Sequence, residues 1–213
     1  MIDLIQGNSL HLPLADKSVD MVFTSPPFKE EDVDGDYWGF YDQCFNEMTR
    51  VCRKVLCIIH SSTKLNSLIT NYPPKRLLIW GKGMTLYSYR YNLILVYQLD
   101  DKYKVNKYIW SDTFGVEAVT GKWKVHKYQD PELLYETIIK MFKGCNVILD
   151  PFCGSGTTAR VCRRLGLNCV GIDLNIEMSR RRLGKQALAD WGSRGAEAGG
   201  GLQGLPMLSK EEE

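Results

Sequence analysis

Hydrophobic and polar positions alternate along this chain with two different periodicities. Short apolar runs rich in β-branched residues predict strands, and the longer amphipathic segments between them predict helices. The predicted strands are Ile2–Ile5, Val19–Thr24, Val55–His60, Arg76–Trp80, Asn92–Gln98, Asn146–Asp150 and Asn168–Ile172. The predicted helices are Tyr37–Cys52, Thr63–Asn71, Pro131–Phe142, Gly156–Leu165 and Ile176–Trp191.

The order of these elements predicts an α/β domain. Strands separated by helix-length segments form βαβ units, in which a mostly parallel sheet is covered by helices on both faces. Residues 87–98 are an exception, because alternating aromatic residues followed by an apolar run predict an antiparallel hairpin added to the sheet. Residues 1–191 form one predicted domain, and the glycine-rich segment 192–213, with its acidic end, is predicted to be a flexible tail.

Composition sets the class of the protein. The chain has 213 residues, of which 44% are hydrophobic and 24% charged, and these values are typical of one soluble globular domain. No apolar run is long enough for a transmembrane helix, and the N-terminus lacks the basic and apolar segments of a signal peptide. We therefore expect a cytoplasmic protein that does not bind a membrane.

The seven cysteines do not form a recognisable metal or disulfide pattern. Their number is odd, most lie in apolar runs, and no C-x-x-C pair is present. The three histidines are not spaced with them as metal ligands. We therefore expect buried, reduced thiols and no metal site.

Positive charge is concentrated in residues 75–127. This segment contains ten Lys or Arg residues and four acidic residues, together with ten of the 23 aromatic residues of the chain. Basic residues interleaved with aromatic ones suit phosphate contacts and base stacking. A solvated basic surface over an aromatic core would give the same composition, so both interpretations stay open at this point.

The stretch VILDPFCGSGTTARVCRRLGLNCVGIDLN, residues 147–175, carries the pattern of a nucleoside site. A strand ends at Asp150, a loop with two glycines opens a helix, and the next strand ends at Asp173, whose carboxylate can accept both hydroxyls of a ribose. No G-x-G-x-x-G run is present, and an acid at the end of the first strand favours a cationic, amine-bearing nucleoside such as S-adenosylmethionine over a pyrophosphate. A simple turn with structural glycines would explain the glycines but not the preceding D-P-F.

An unusual S-P-P-F tetrapeptide, residues 25–28, ends the apolar run VDMVFT. Taken alone, it is a strand that runs into a turn, because proline removes a backbone donor. Together with the downstream DPFCGSGTT, however, it resembles the S-adenosylmethionine-dependent amino-methyltransferases of DNA. The order of the two motifs is that of the circularly permuted β class. The segments GNSL (7–10), VLCIIH (55–60), RLLIWGKGMTLYSYRYNLILVY (76–97) and HKYQDPELL (126–134) resemble further segments of that family.

The resemblance implies a Rossmann-like methyltransferase fold and a role for each matching residue. The catalytic residues would be Ser25, Pro26, Pro27 and Phe28. The residues that bind S-adenosylmethionine would be Asn8, Ser9, Asp150, Phe152, Gly154, Ser155, Gly156, Thr157 and Asp173. Asn8 stands where the family usually has aspartate, and its amide oxygen can still accept from the adenine amino group. Residues 99–125 would form the target-recognition insert, which is short.

The implied activity is methylation of the exocyclic N4 amino group of cytosine in double-stranded DNA, with the target base flipped out of the helix. In the family, serine at the first position of the tetrapeptide is associated with cytosine, and Asp or Asn with adenine. Adenine-N6 methylation, RNA methylation and a non-catalytic binding subunit remain alternatives. A restriction endonuclease would be the counterpart of a DNA modification enzyme. The acidic segment 30–36 is either a loop that closes over the base or a solvated turn.

Overall fold

The computed structural model describes residues 1–85, 88–103, 111–116, 118 and 129–184, except for the side chains of residues 31, 83–85 and 88–90. The predicted tail, 192–213, and much of the predicted recognition insert, 99–125, lie outside the described residues. The predicted boundary of the domain at residue 191 also falls outside them.

The described strands form one sheet in the order β1-β8-β7-β2-β3-β5-β4-β6. Strand β5 runs antiparallel to both β3 and β4, and the other neighbours pair in parallel. The strands are β1 Ile2–Gln6, β2 Val19–Thr24, β3 Cys52–Ser61, β4 Arg76–Thr85, β5 Ser88–Gln98, β6 Thr113–Gly115, β7 Val147–Asp150 and β8 Asn168–Asp173. The prediction of a mostly parallel sheet with an antiparallel hairpin is confirmed.

The helices fall close to their predicted ranges. They are α1 Tyr37–Val51, α2 Leu65–Asn71, α3 Glu132–Met141 and α4 Thr157–Leu165, and residues 177–184 are also helical. Helix α1 begins where the Asp36 side chain accepts a hydrogen bond from the Trp38 backbone N–H at 3.0 Å. Pro131 was expected inside the first turn of α3, but it is the N-cap residue and its backbone is extended. None of the described helices has both the length and the apolar character that a membrane span requires.

Two hydrophobic layers enclose the sheet. Every residue of β2 is buried, and successive side chains point to opposite faces. Met21 and Phe23 pack with the residues of α3 and α4, whereas Val22 packs with those of α1. This two-sided burial explains why the strands of the parallel part read as continuous apolar runs. All seven cysteines are unpaired and buried, as expected.

Asp20, an acid in this apolar strand, connects three strands. Its buried carboxylate accepts from Arg53 Nε at 2.7 Å and from the backbone N–H groups of Asn146 and Val147 at 2.9 and 3.1 Å, and it lies 2.8 Å from Lys54 Nζ. Burial alone would raise the pKa of Asp20, but the hydrogen bonds outweigh it and hold the pKa far below its usual range. Asp20 therefore fixes the start of β7 beside β2.

The sequence did not reveal two features of the sheet. Strand β4 continues to Thr85, five residues beyond its predicted end, because it pairs with β5 along the hairpin. The short edge strand β6 pairs in parallel with β4 inside the predicted recognition insert. Its three residues carry little pattern of their own, and the backbone hydrogen bonds to β4 place it.

Candidate active site

The two sequence motifs meet at the point where the strand order reverses. Strands β7 and β2 are neighbours, and from them the sheet continues in opposite directions toward β8 and β3. At their carboxyl ends Thr24 Oγ1 donates to Asp150 Oδ1 at 2.7 Å, across 126 residues of sequence. Open α/β sheets bind ligands in the crevice at such a switch point. The geometry therefore brings SPPF and DPFCGSGTT to one site.

Asp150 is the central acid of this site. Its side chain is buried, with 3% of the residue exposed. The carboxylate accepts from the hydroxyls of Thr24 and Thr158 and from the Phe152 backbone N–H at 3.2 Å. Burial raises the pKa of Asp150 to about 6, although these hydrogen bonds favour the ionised form. A carboxylate offers about four acceptor positions, so one remains for a cationic ligand.

The glycine loop after β7 is clamped by two side chains. Gly154 N donates to Asp173 Oδ2 at 2.8 Å, and the Ser179 hydroxyl donates to the Gly154 carbonyl at 2.6 Å. Gly156 has φ of +75°, and a Cβ built on it would lie 3.2 Å from the Ser179 Cβ. Both the left-handed backbone and the close approach of Ser179 therefore require glycine at position 156.

The remaining residues of the loop lie around the start of α4. Ser155 and Thr157 are buried, with their hydroxyl oxygens 3.3 Å apart. The Ser155 carbonyl accepts from Arg182 Nη1 at 3.1 Å. The Phe152 ring packs edge-on against Phe40 of α1, with ring centroids 6.1 Å apart. These contacts hold the loop open toward the crevice.

Asn8 and Ser9, which were also predicted to bind the cofactor, lie outside the glycine loop. The Ser9 hydroxyl donates to the carbonyl of Pro151, so Ser9 supports the backbone of the glycine loop. Asn8 is exposed, and its Oδ1 accepts from the Leu10 backbone N–H at 3.0 Å. Neither residue belongs to the lining of the central cavity. The predicted contact of Asn8 with adenine stays a prediction.

On the other side of the switch point, the Ser25 hydroxyl lies next to the Tyr135 hydroxyl of α3. The Tyr135 hydroxyl donates to Asp130 Oδ2 at 3.1 Å, so a hydrogen bond between the two hydroxyls would run from Ser25 to the phenol oxygen. Burial and the nearby charges of Asp130 and Asp150 raise the pKa of Tyr135 well above its usual value, so the phenol stays protonated. The lone pairs of Ser25 Oγ are consequently left to accept hydrogens from a ligand.

A second network holds the next part of the loop. The Tyr37 hydroxyl donates to the Pro27 carbonyl at 3.0 Å and lies 2.7 Å from His60 Nε2. Because Tyr37 has one proton, His60 Nε2 carries the hydrogen and donates to Tyr37. Burial lowers the pKa of His60 to about 4, so this imidazole is neutral. Phe28 packs against the same imidazole with centroids 5.1 Å apart.

One cavity of about 1170 Å³ joins the two motifs. The predicted residues that line it are Ser25, Pro26, Pro27, Phe28, Asp150, Phe152, Gly154, Ser155, Thr157 and Asp173. Further lining residues that the sequence did not single out include Trp80, Asn92, Asp130, Tyr135 and Met178. A polar residue within the apolar run YNLILVY was the signal for Asn92, whereas Tyr135 gave no signal because it reads as part of the apolar face of a helix.

The residues present fit S-adenosylmethionine. Asp150 and Asp173 place two carboxylates at the ends of adjacent strands, β7 and β8. Such groups match the ammonium and the ribose hydroxyls of this nucleoside. Phe152 and Met178 add apolar surface to the same cavity.

Aromatic residues of the basic segment 75–127 are mainly internal where the structure describes them. Trp80, Tyr97 and Phe114 are buried. Lys82 Nζ lies 4.7 Å from the centre of the Trp80 ring, at the border of the cavity. The described part of this segment therefore supports an aromatic core beneath basic residues, and the basic residues at 104, 107, 122, 124 and 127 lie outside the described part.

Comparisons with known proteins agree with the fold. Residues 79–183 match a family model described as DNA methylase. The chain is 42% identical over 99 residues to the type II methyltransferase M2.DpnII of Streptococcus pneumoniae, a match that covers 44% of this chain and 35% of that protein. It is 33% identical over 115 residues to M.HinfI of Haemophilus influenzae, covering 50% of this chain and 32% of that protein. The matching stretches thus span about a third of these relatives.

Solved structures match over a larger part of the chain. PvuII DNA methyltransferase (cytosine-N4-specific) superposes with a TM-score of 0.69 at 16% identity, covering 83% of each chain. The complex of M1.HpyAVI with S-adenosylmethionine superposes with a TM-score of 0.65 at 19% identity, covering 85% of this chain and 100% of that one. At such identities these similarities establish a shared fold. The sequence match, which covers just under half of the chain, and the shared fold together support an S-adenosylmethionine-dependent amino-methyltransferase.

Proposed function

We propose that this protein transfers a methyl group from S-adenosylmethionine to the N4 amino group of a cytosine in double-stranded DNA, with the base flipped out of the helix. The observation that carries the proposal is the junction of the two motifs. The hydrogen bond from Thr24 to Asp150 places the acceptors of Ser25 and Pro26 next to the glycine loop, within one cavity.

An exocyclic amino group is a poor nucleophile, because its lone pair is delocalised into the base. Acceptors that bind both amino hydrogens hold the nitrogen in position and favour the pyramidal transition state. In this proposal, Ser25 Oγ accepts one hydrogen while its own proton points to the neighbouring Tyr135 hydroxyl. Pro26 can offer its carbonyl for the other, whereas the carbonyl of Pro27 is already bonded to Tyr37.

When bound, the cofactor would supply a methyl group already activated by its sulfonium sulfur, and the amino nitrogen would accept it and release one proton to solvent. The chain would hold that cofactor in a fixed position. In the proposed arrangement, Asp150 binds the ammonium, Asp173 the ribose hydroxyls, and Asn8 the adenine amino group. Catalysis is then mainly a matter of positioning. The remaining proposed cofactor residues are Ser9, Phe152, Gly154, Ser155, Gly156 and Thr157.

The cavity has room for a second group besides the cofactor. Ligand sites of drug-sized molecules commonly have volumes of roughly 300–1,000 Å³, and this cavity exceeds that range at about 1170 Å³. Phe28 borders it and can stack on an extruded base. The proposal includes base flipping, because a base paired inside a duplex would not present its amino group to Ser25.

Cytosine is the favoured target because of Ser25. A hydroxyl accepts a hydrogen bond without the full negative charge of an aspartate, and serine at this position is the cytosine-associated form of the motif. The structural neighbour described as cytosine-N4-specific supports the same choice. The curated relatives are named type II methyltransferases. We therefore propose a restriction endonuclease as the functional counterpart of this protein.

The test is methylation by the purified protein of a mixed set of duplexes, followed by nucleoside mass spectrometry. We expect N4-methylcytosine, and N6-methyladenine as the sole product would replace cytosine by adenine as the target. Matched RNA strands distinguish RNA methylation. A protein that binds DNA but yields no methylated nucleoside, with cofactor present, would be a binding subunit. Sequencing of methylated positions in expressing cells identifies the recognition sequence for the experiments below.

A further inference from the structure

The end of the cavity opposite the glycine loop has a floor made of three strands. Ser61 of β3 pairs with Asn92 of β5, and Asn92 pairs in turn with Trp80 of β4. Side chains at paired positions of antiparallel strands point to the same face. All three residues line the cavity, together with Phe28. This floor, Ser61–Asn92–Trp80, lies beyond the residues assigned above to the cofactor.

Asn92 has an unmet hydrogen-bonding requirement. Only 6% of the residue is exposed, and its Nδ2 has no hydrogen-bond partner among the described residues. A buried amide N–H without a partner destabilises a folded protein, so such groups are rare. An unsatisfied donor that borders a cavity indicates that its partner is a ligand.

The polar side-chain groups next to Asn92 already have hydrogen-bond partners. Ser61 Oγ lies 2.8 Å from the Thr63 hydroxyl and accepts from the Thr63 backbone N–H at 3.3 Å. Trp80 Nε1 donates to the Val116 carbonyl at 2.7 Å. Within the described floor, therefore, the amide of Asn92 is the donor whose partner is missing. Rotation about its terminal torsion is soft, so a small turn brings the amide toward a ligand.

We propose that Asn92 recognises the target base by donating a hydrogen bond from its amide to the acceptor next to the exocyclic amino group. This inference rests on the proposed function. In cytosine that acceptor is N3, with O2 beyond it, and in adenine it is N1. Thymine carries an N–H at the corresponding ring position and would place two donors against each other. Asn92 would thus select a base whose ring acceptor adjoins an amino group, while Ser25 and Pro26 bind the amino group itself.

The test uses duplexes that carry the recognition sequence with cytosine or 3-deazacytosine at the target position. The deaza base keeps the amino group but replaces N3 by C–H. Single-turnover methylation by the wild-type protein should be about tenfold to a hundredfold slower on the deaza duplex. Asn92→Ala should slow methylation of cytosine by a similar factor and lose most of the distinction between the two duplexes. This comparison cancels the different intrinsic reactivities of the bases.

Asn46→Ala is the matched control, because Asn46 is an exposed asparagine of α1, and it should keep the wild-type ratio between the duplexes. Equal rates of the wild-type protein on both duplexes would overturn the inference without any substitution. An unchanged ratio in Asn92→Ala, in a variant that still binds cofactor, would also overturn it and leave Asn92 a structural residue. Failure to methylate unmodified DNA at all would instead refute the proposed function. If adenine proves to be the target, 1-deazaadenine replaces 3-deazacytosine in the same design.

Discussion

Cofactor binding should depend on pH through Asp150. Burial raises the pKa of Asp150 to about 6, and the negative charge of Asp173 also raises it, whereas Thr158, Thr24 and the Phe152 N–H lower it. A cationic ammonium binds the ionised carboxylate and not the neutral acid. If the pKa is 6, protonation before binding weakens the apparent affinity about tenfold between pH 7 and pH 5. The amino group of the cofactor stays cationic over this range, since α-amino groups titrate near pH 8.

The stability of the cofactor-free protein should change in the opposite direction. Because the folded pKa of Asp150 lies above its ordinary value of 3.8, the folded state binds this proton more tightly than the unfolded chain does. The stabilising contribution of protonation is complete below pH 3.8 and is lost as the pH rises through about 6. The ionised, buried carboxylate therefore costs roughly 3 kcal/mol at neutral pH. A bound ammonium offsets part of this cost.

Isothermal titration of S-adenosylmethionine at pH 5, 6 and 7 measures the effect, with tryptophan fluorescence to show that the protein stays folded. Asp150→Asn should bind more weakly at pH 7 and lose the pH dependence. Thr158→Val removes a hydrogen bond that favours the ionised form, so it should shift the midpoint to higher pH. A dissociation constant that is the same at pH 5 and pH 7 would refute the assignment of the ammonium to Asp150, as would an unchanged pH profile in Asp150→Asn.

Ser25→Ala should lower kcat about a hundredfold or more and leave cofactor affinity unchanged, as judged by single-turnover kinetics and titration calorimetry; loss of cofactor affinity would mean that Ser25 supports the fold instead. Tyr135→Phe removes the acceptor of the Ser25 proton and the donor to Asp130. We therefore expect kcat to fall about tenfold with KM for cofactor unchanged. An unaltered kcat would show that the orientation of the Ser25 proton has no catalytic effect. Tyr37→Phe leaves the Pro27 carbonyl without its donor and should lower the free energy of unfolding by about 1–3 kcal/mol in urea titrations, whereas a smaller loss would mean that water replaces the phenol. Gly156→Ala forces a side chain into the left-handed region and against Ser179, so thermal unfolding should show a loss of about 1–3 kcal/mol, and a variant of wild-type stability would contradict the clamp.

The parallel part of the fold could be predicted from sequence because its strands are buried on both faces. Val19–Thr24 reads as an apolar run apart from Asp20 and the final Thr24, and every residue of that strand is buried. The predicted helix Gly156–Leu165 nearly coincides with α4, and the glycines at 156 and 166 that cap it both have left-handed backbones. Strand β6 could not be predicted in this way, because its position depends on pairing with β4 and not on its own residues.

The motifs identified the residues proposed to bind the cofactor and the target base. They did not identify the side chains that hold those residues in position. SPPF and DPFCGSGTT end adjacent strands, so the general rule for open sheets placed them together. The supports come from side chains distant in sequence: Tyr37 and His60 hold the Pro27 side of the loop, and Tyr135 holds Ser25. In sequence these residues are indistinguishable from the aromatic residues of a core. Only the packing of the helices decides which of these aromatic residues contacts the loop and supports it.

The arrangement of these supports explains why two prolines are not sufficient to fix the catalytic loop. Prolines limit φ at their own positions but leave the direction of the Ser25 hydroxyl and of the carbonyls undetermined. In the proposed arrangement, Tyr135, from the helix on one face of the sheet, accepts the Ser25 proton, and Tyr37, from the helix on the other face, binds the Pro27 carbonyl. Tyr135 and Tyr37 each exclude one alternative orientation of a polar group in the loop. The lone pairs of Ser25 and the carbonyl of Pro26 therefore remain for the amino group. The loop is therefore fixed from both faces of the sheet, and substitutions in either helix should affect the methylation rate without touching the cofactor.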